Sequence, residues 1–206
     1  MPYPIIWIGQ NSQYYPNNQV DLLSNQAPAK LAVIGVPERL SLPWLALFCS
    51  SKCPGSLIIK AYNLSPALQG TKIALAGGFH SPVEKDALRV ALRGSQQLLI
   101  CPARGLEGMR IPETYRKPLD DGRLIFISPF SEKIKRPTQQ TSIERNRLVA
   151  ALSERVLVIH AELDSKLTLL CQEVLSWGKP IYTLNDPTND HLVSMGVKIF
   201  HLDDFV

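Results

Sequence analysis

The sequence predicts an α/β fold, a doubly wound and mainly parallel sheet in three layers, from three observations. Short apolar runs rich in β-branched residues recur along the chain. They are continuous rather than alternating, as expected of strands covered on both faces. Between them lie amphipathic segments with helix start and stop signals, joined by short connections.

Residues 1–30 read as a lead-in: a short strand over 5–8, then an ordered loop where Tyr, Asn, Gln and Pro crowd positions 11–18. Residues 31–206 read as one sheet domain. Residues 31–36 are its first core strand, closed by Gly35, and 40–69 read as helical, broken by Pro43 and Pro54. Strands follow at 72–77 and 98–101. Between these two, Ser81-Pro-Val-Glu84 is a capping box with proline at the first helical position. It opens a helix that runs to Arg93 and stops at Gly94. The remaining strands are 123–128, 155–160, 180–183 and 197–200. Residues 130–141 are the longest stretch without regular structure, and such loops are usually functional or mobile. Thr141-Ser-Ile-Glu144 is a second box, opening a helix to Leu152. Ser165 caps a helix through Trp177 that Gly178 ends, and a shorter helix runs from Asp190 to Met195.

The chain has 206 residues, 45% hydrophobic and only 19% charged, so a core can form and disorder is disfavoured. No stretch approaches the roughly 20 apolar residues of a membrane span. The start, Met1-Pro2-Tyr3-Pro4-Ile5, lacks the basic-then-apolar layout of a signal peptide. A soluble, cytoplasmic protein is expected. The net charge is +4, and residues 104–147 carry all of the excess, with ten Lys/Arg against six acids. That suits an anionic partner, nucleic acid or nucleotide; the plain alternative is a solvated surface that happens to be basic. Cys49, Cys53, Cys101 and Cys171 read as buried free thiols. The scattered His80, His160, His191 and His201 complete no zinc pattern. No metal and no cofactor is expected.

In an open parallel sheet, ligands bind outside the carboxyl ends of the strands. Three segments are expected there. The first is Gly35-Val-Pro-Glu38. The second is Gly77-Gly-Phe-His-Ser81, where bare N–H groups and a helix dipole face an anion. The third opens a helix with Arg145, the Asn146 amide and Arg147, and arginine there can grip phosphate with both arms. Each has a structural alternative: Gly77 and Gly78 only make a turn, and the arginines pair with Glu144 or Glu154. Lys133, Lys135 and Arg136 of the basic loop, with Lys85, Arg104, Ser165 and Lys166, complete the candidate phosphate-binding set; for Ser165 the alternative is simple capping. Phe79 either stacks on a base or fills the core. There is no G-x-S-x-G elbow, no phosphate loop and no dinucleotide fingerprint. His80 beside Ser81 has no orienting acid, so no catalytic residue is assigned and a non-enzymatic role is expected.

The run Arg145-Asn-Arg-Leu-Val-Ala-Ala-Leu-Ser153, with Arg155-Val-Leu-Val-Ile-His-Ala161 after it, closely resembles the R-N-R-I-I-A-G-L-S run and V-L-V-V-E-A strand of the DNA-processing protein A (DprA/Smf) family. Ser165-Lys-Leu-Thr168 stands where the family has S-G-S-L-I-T. Asn189-Asp-His-Leu-Val-Ser-Met-Gly-Val-Lys198 resembles its T-N-x-L-I-x-x-G-A-K ending. The resemblance spans residues 20–200. It implies a Rossmann-like core that binds single-stranded DNA through its backbone in DNA processing, recombination and natural transformation, without catalysis. It also implies a RecA-type recombinase as partner and a homodimer. The family's S-R after the first strand is Val36-Pro37 here, and its A-R-G-I-D turn is Phe79-His-Ser-Pro-Val83. Lys85, Arg104 and Lys166 are the partial substitutes. The length leaves no room for the extra helical and winged-helix modules of many members. The alternative within the same superfamily is a nucleotide-binding sensor or a LOG-like nucleotide hydrolase, whose P-G-G-x-G-T-x-x-E motif is absent.

Overall fold

The computed structural model describes residues 3–69, 71 and 73–202. The strands among them are β1 (Ile6–Gly9), β2 (Lys30–Ile34), β3 (Trp44–Phe48), β4 (Ala74–Gly77), β5 (Leu98–Ile100), β6 (Leu124–Ser128), β7 (Arg155–Val158), β8 (Ile181–Thr183) and β9 (Lys198–Ile199). The helices are α1 (Asn17–Val20), α2 (Gly55–Gln69), α3 (Pro82–Arg93), α4 (Glu113–Asp120), α5 (Gln139–Leu152), α6 (Lys166–Ser176) and α7 (Asp190–Ser194). The strands form one sheet in the order β1-β2-β6-β5-β4-β3-β7-β8-β9. All pairings from β6 through β9 are parallel, and both pairings of β2 are antiparallel.

Helices cover both faces. Leu148, Leu152, Leu170 and Val174 of α5 and α6 pack on one, with Trp44, Ala46 and Phe48. Leu57, Ala61, Leu88 and Leu119 of α2, α3 and α4 pack on the other, with Leu45 and Leu47. Strand β3 thus sends alternate side chains into two cores. That double burial, which a sheet of parallel crossovers imposes, is why its sequence shows no alternation.

The expected doubly wound sheet is present, with four local corrections. Trp44–Phe48, expected as helix, is the central strand. A five-residue apolar run carries no period that separates strand from helix, and its Leu and Ala favour helix. Pro43 precedes the strand and Pro54 precedes α2, where neither interrupts a hydrogen-bond ladder. The expected strand at 72–77 is seen from Ala74; Lys72 lies outside the described residues. The cap of α5 is Thr138, whose hydroxyl accepts from the Thr141 N–H at 3.1 Å, while the Thr138 N–H donates to the Thr141 hydroxyl at 2.9 Å. The box therefore sits one turn earlier than Thr141–Glu144. Helix α4 was not expected; eight mostly polar residues with Pro118 inside the helix give little helical signal. The four cysteines are free, and Cys53 is only half-buried because it lies in the loop after β3 rather than on a helix.

The carboxyl end of α5 is closed from outside. Lys179 donates to the carbonyls of Ala150, Ala151 and Ser153, satisfying groups that a helix end leaves unpaired. Replacing Lys179 by Met should lower stability by about 1–3 kcal/mol, as expected for buried carbonyls left without donors. Urea denaturation reads this directly, and an unchanged midpoint would show that solvent satisfies these carbonyls.

Candidate functional site

Strand order reverses at β3, whose neighbours are β4 and β7. At such a switch point the connections diverge and leave a crevice outside the carboxyl ends. Here those ends run into residues 49–54, 78–81, 101–112 and 159–165, with 129–138 beyond them.

Two buried opposite charges organise this mouth. Glu84, in the first turn of α3, is 6% exposed. One carboxylate oxygen accepts the Cys49 N–H at 2.8 Å; the other accepts those of His80 at 2.7 Å and Ser81 at 3.3 Å. Arg145 of α5, 5% exposed, approaches from the opposite face of the sheet. Its Nη1 donates to the Cys101 carbonyl at 3.1 Å, and its Nε donates to Asn146 Oδ1 at 2.6 Å. Burial pushes the Glu84 carboxyl up, against the three amides and the attraction of Arg145. Burial likewise pulls the Arg145 guanidinium down, against Glu84.

The two glycines explain how these groups fit. A Cβ on Gly78 would lie 1.4 Å from Arg145 Nη1, and one on Gly77 would lie 3.2 Å from the Phe79 ring. Phe79 itself is 5% exposed and belongs to the core, so the core-filler alternative describes it. The Gly77-Gly78 turn is space for the guanidinium and the ring.

The other expected residues separate into three groups. Gly35 lies at the far end of the sheet, because β2 runs antiparallel to β6; its added Cβ would strike the Leu124 carbonyl at 2.8 Å, at the start of that strand. Its expected place at the mouth assumed a parallel β2. Arg147 is held by Glu173 of α6, with Nε 2.9 and 2.8 Å from the two carboxylate oxygens. Its partner is neither Glu144 nor Glu154. Both arginines of the R-N-R turn are thus engaged inside the protein rather than presented at the surface. Ser165 caps α6 by accepting the Thr168 N–H at 3.1 Å.

Around the rim, Lys85, Lys133, Lys135, Arg136 and Lys166 are exposed. The loop carrying three of them is pinned. Gly105 N–H donates to the Ile134 carbonyl at 2.8 Å, Ser128 Oγ donates to the Arg104 carbonyl at 2.8 Å, and a Cβ on Gly105 would meet the Ser131 carbonyl at 2.5 Å. Arg104, half-buried, donates to the carbonyls of Gly105 and Glu107 and stiffens the facing loop.

Three groups were not expected as part of the mouth. Fully buried Asn189 accepts from His160 Nδ1 at 2.8 Å through Oδ1 and donates through Nδ2 to the Ile159 carbonyl, Thr183 Oγ1 and the Leu184 carbonyl. It ties the ends of β7 and β8 together. Asp186 accepts from Lys60 Nζ at 2.9 Å and from Thr188 Oγ1 at 2.7 Å. Lys60 first, then Thr188, holds its carboxyl well below the usual carboxylate range. The sequence signals were the polar run Asn185-Asp-Pro-Thr-Asn189 after an apolar strand and, for Asn189 alone, its place at the start of the run that resembles the family's ending. Glu84 was visible only as a cap.

A profile of the DNA recombination-mediator protein A family matches residues 6–200. The chain belongs to this family. Among solved structures, it is similar to DNA processing protein A from Streptococcus pneumoniae, with a TM-score of 0.78 at 19% identity over 96% of this chain and 71% of that one. It is similar to the Helicobacter pylori protein, described for a unique single-stranded DNA binding mode, with a TM-score of 0.76 at 19% identity over 98% and 94%. The molybdenum cofactor carrier protein of Chlamydomonas reinhardtii shares the fold more distantly, at 0.53 and 13% over 78% and 91%. No curated protein gives a significant sequence match. The fold is the α/β, Rossmann-like one of the family, and its DNA-processing role fits the chain.

Two predictions follow from the mouth's geometry. Gly78→Ala should displace the Arg145 guanidinium and cost roughly 2–4 kcal/mol by overpacking and by breaking the hydrogen bonds of a buried charge. Wild-type thermal stability in that variant would show that the guanidinium can move freely. Asp186, with a depressed folded value, contributes stability that is present above about pH 4 and is lost as pH falls toward the folded value. Asp186→Asn should therefore flatten the acid side of the stability profile below pH 4, and parallel profiles would refute the linkage.

Proposed function

We propose that this protein binds single-stranded DNA across the carboxyl mouth of the sheet, through the phosphate backbone and without catalysis. The observation that carries the reading is the pinned 129–138 loop, which presents Lys133, Lys135 and Arg136 to solvent at the same end of the sheet as exposed Lys166 and Lys85 at the starts of α6 and α3. Membership of a DNA recombination-mediator family supports it, as does the fold shared with a protein described for its single-stranded DNA binding mode.

The rim is mostly lysine, a flexible point charge that attracts phosphate without fixing base identity. Affinity should come from counterion release and fall steeply with salt. Arg104, Arg145, Asn146 and Arg147 shape the mouth and hold its loops, and Ser165 with Gly77 and Gly78 fixes the helix starts and the turn. Loading of a RecA-type recombinase onto the bound strand, and a homodimer, belong to the same proposal on the strength of the family alone.

The test is fluorescence anisotropy with a labelled oligothymidine across a salt series. Lys133→Ala/Lys135→Ala/Arg136→Ala should weaken binding roughly tenfold to a hundredfold at moderate salt and reduce the logarithmic salt slope by about 2, near 0.7 per lost phosphate contact. Equal affinity and equal slope in the variant and the wild type would overturn the proposal.

A further inference from the structure

Helix α3 leaves the mouth and runs along one face of the sheet beside α4. Between the two lies a cavity of about 610 Å³. Leu88, Leu92 and Tyr115 form its apolar wall, and Lys85, Arg89 and Arg93 stand along its edge. The three cations are spaced i, i+4, i+8, so they share one helix face at about 6 Å intervals. Arg89 also pairs with Asp86, and both partners are largely exposed. No hydrogen bond or ion pair engages the Lys85 or Arg93 side chain among the described residues.

Three cations follow one another as a ladder on a solvated helix face, and only Arg89 has an acidic partner, the exposed Asp86, so Lys85 and Arg93 add positive charge that the folded chain does not itself neutralise. Like charges at i, i+4 destabilise a helix slightly. Such a ladder beside an apolar wall complements a polymer carrying regular negative charge on one side and flat apolar groups on the other. Single-stranded nucleic acid has that character: phosphates track a cationic groove while bases lie on aromatic and aliphatic surface. The upper end of the groove is also continuous with the mouth, because Phe79 and Lys85 lie in the turn and first helical turn after β4.

We infer that the α3–α4 groove is a second subsite, taking a continuation of the single strand bound at the mouth. Lys85 is the shared residue at the junction. Arg89 and Arg93 contact successive phosphates, and Tyr115 with Leu92 receives the bases. From Lys85 to Arg93 the helix rises about 12 Å, room for roughly two to four nucleotides. This inference rests on the proposed strand binding at the mouth.

The experiment compares wild type, Arg89→Ala/Arg93→Ala and Arg89→Glu/Arg93→Glu with oligothymidines of increasing length, using anisotropy against salt. Both substitutions fall on an exposed helix face, and thermal melting confirms folding. Short oligonucleotides should bind all three proteins alike. Long ones should gain affinity on the wild type only, with a salt slope about 1.4 units steeper than on the alanine variant. A long oligonucleotide carrying 5-iododeoxyuridine should photocrosslink to Tyr115. If all three proteins bind every length alike while the Lys133/Lys135/Arg136 variant loses binding, the groove inference fails and the mouth reading stands. If the Lys133/Lys135/Arg136 variant also binds like wild type, the mouth reading itself fails, and the groove inference with it. If a Glu/Leu-rich amphipathic peptide docks in the groove and leaves oligonucleotide binding unchanged, the groove is a protein-docking surface and the inference is overturned.

Discussion

The carboxyl mouth depends on two charges buried at its centre. Glu84 arrives on α3 from one face of the sheet and Arg145 on α5 from the other, and Gly78 leaves the gap through which the guanidinium reaches. Either charge alone in that interior would cost several kcal/mol. Together, and ringed by three backbone amides and one carbonyl, they fix the ends of β3, β4 and β5 relative to one another. The arrangement needs an absent side chain as much as the two present ones. A second polar hub repeats the logic between β7 and β8, where Asn189 meets three acceptors and His160 without being exposed at all.

This has a consequence for binding. A guanidinium that donates to a backbone carbonyl and to the Asn146 amide, and crosses a glycine, is not available to a mobile ligand without breaking those contacts. The same holds in milder form for Arg147, whose fork is matched to Glu173 and joins α5 to α6. What faces solvent is a ring of mostly lysine side chains on helix starts and on a loop clasped to its neighbour. Architecture is the work of the buried arginines, and long-range attraction is left to flexible ammonium groups. A site of this kind holds a polyanion by number of contacts rather than by the quality of any single one.

Much of the fold was legible because its signals are local. The capping serines Ser81 and Ser165 marked α3 and α6 to within a residue, and the apolar runs at 98–101, 123–128 and 155–160 became strands. Apart from the weak local signals of Trp44–Phe48, α4 and the α5 cap, what failed was non-local. Nothing in the run Lys30-Leu-Ala-Val-Ile34 states which way it lies against β6, so the end of the sheet at which Gly35 falls could not be read. Nor does the spacing Arg145-Asn-Arg147 show that one guanidinium turns inward across Gly78 while the other meets a carboxylate 26 residues on. Charge near a helix start looks the same in sequence whether it serves a ligand or a loop. The exposure of Lys133 and Lys135 was legible because they sit in a long polar loop, where burial was never an option.

The residues that place the chain in its family and those that would set its affinity are therefore different sets. The R-N-R run carries the family likeness most specifically, and its two arginines are engaged in holding α5 against the mouth and against α6. Losing it would cost the fold. The lysines at 85, 133, 135 and 166 contact no other side chain through an ion pair among the described residues, so exchanging them would cost the fold little. Departures such as Val36-Pro37 and the Phe79-His-Ser-Pro-Val83 turn fall under the same reasoning. The first lies at the opposite end of the sheet from the mouth, and the second leaves the Glu84 and Arg145 framework standing. Family identity, read through the two buried charges, thus constrains the shape of the mouth closely and the charges on its rim only loosely.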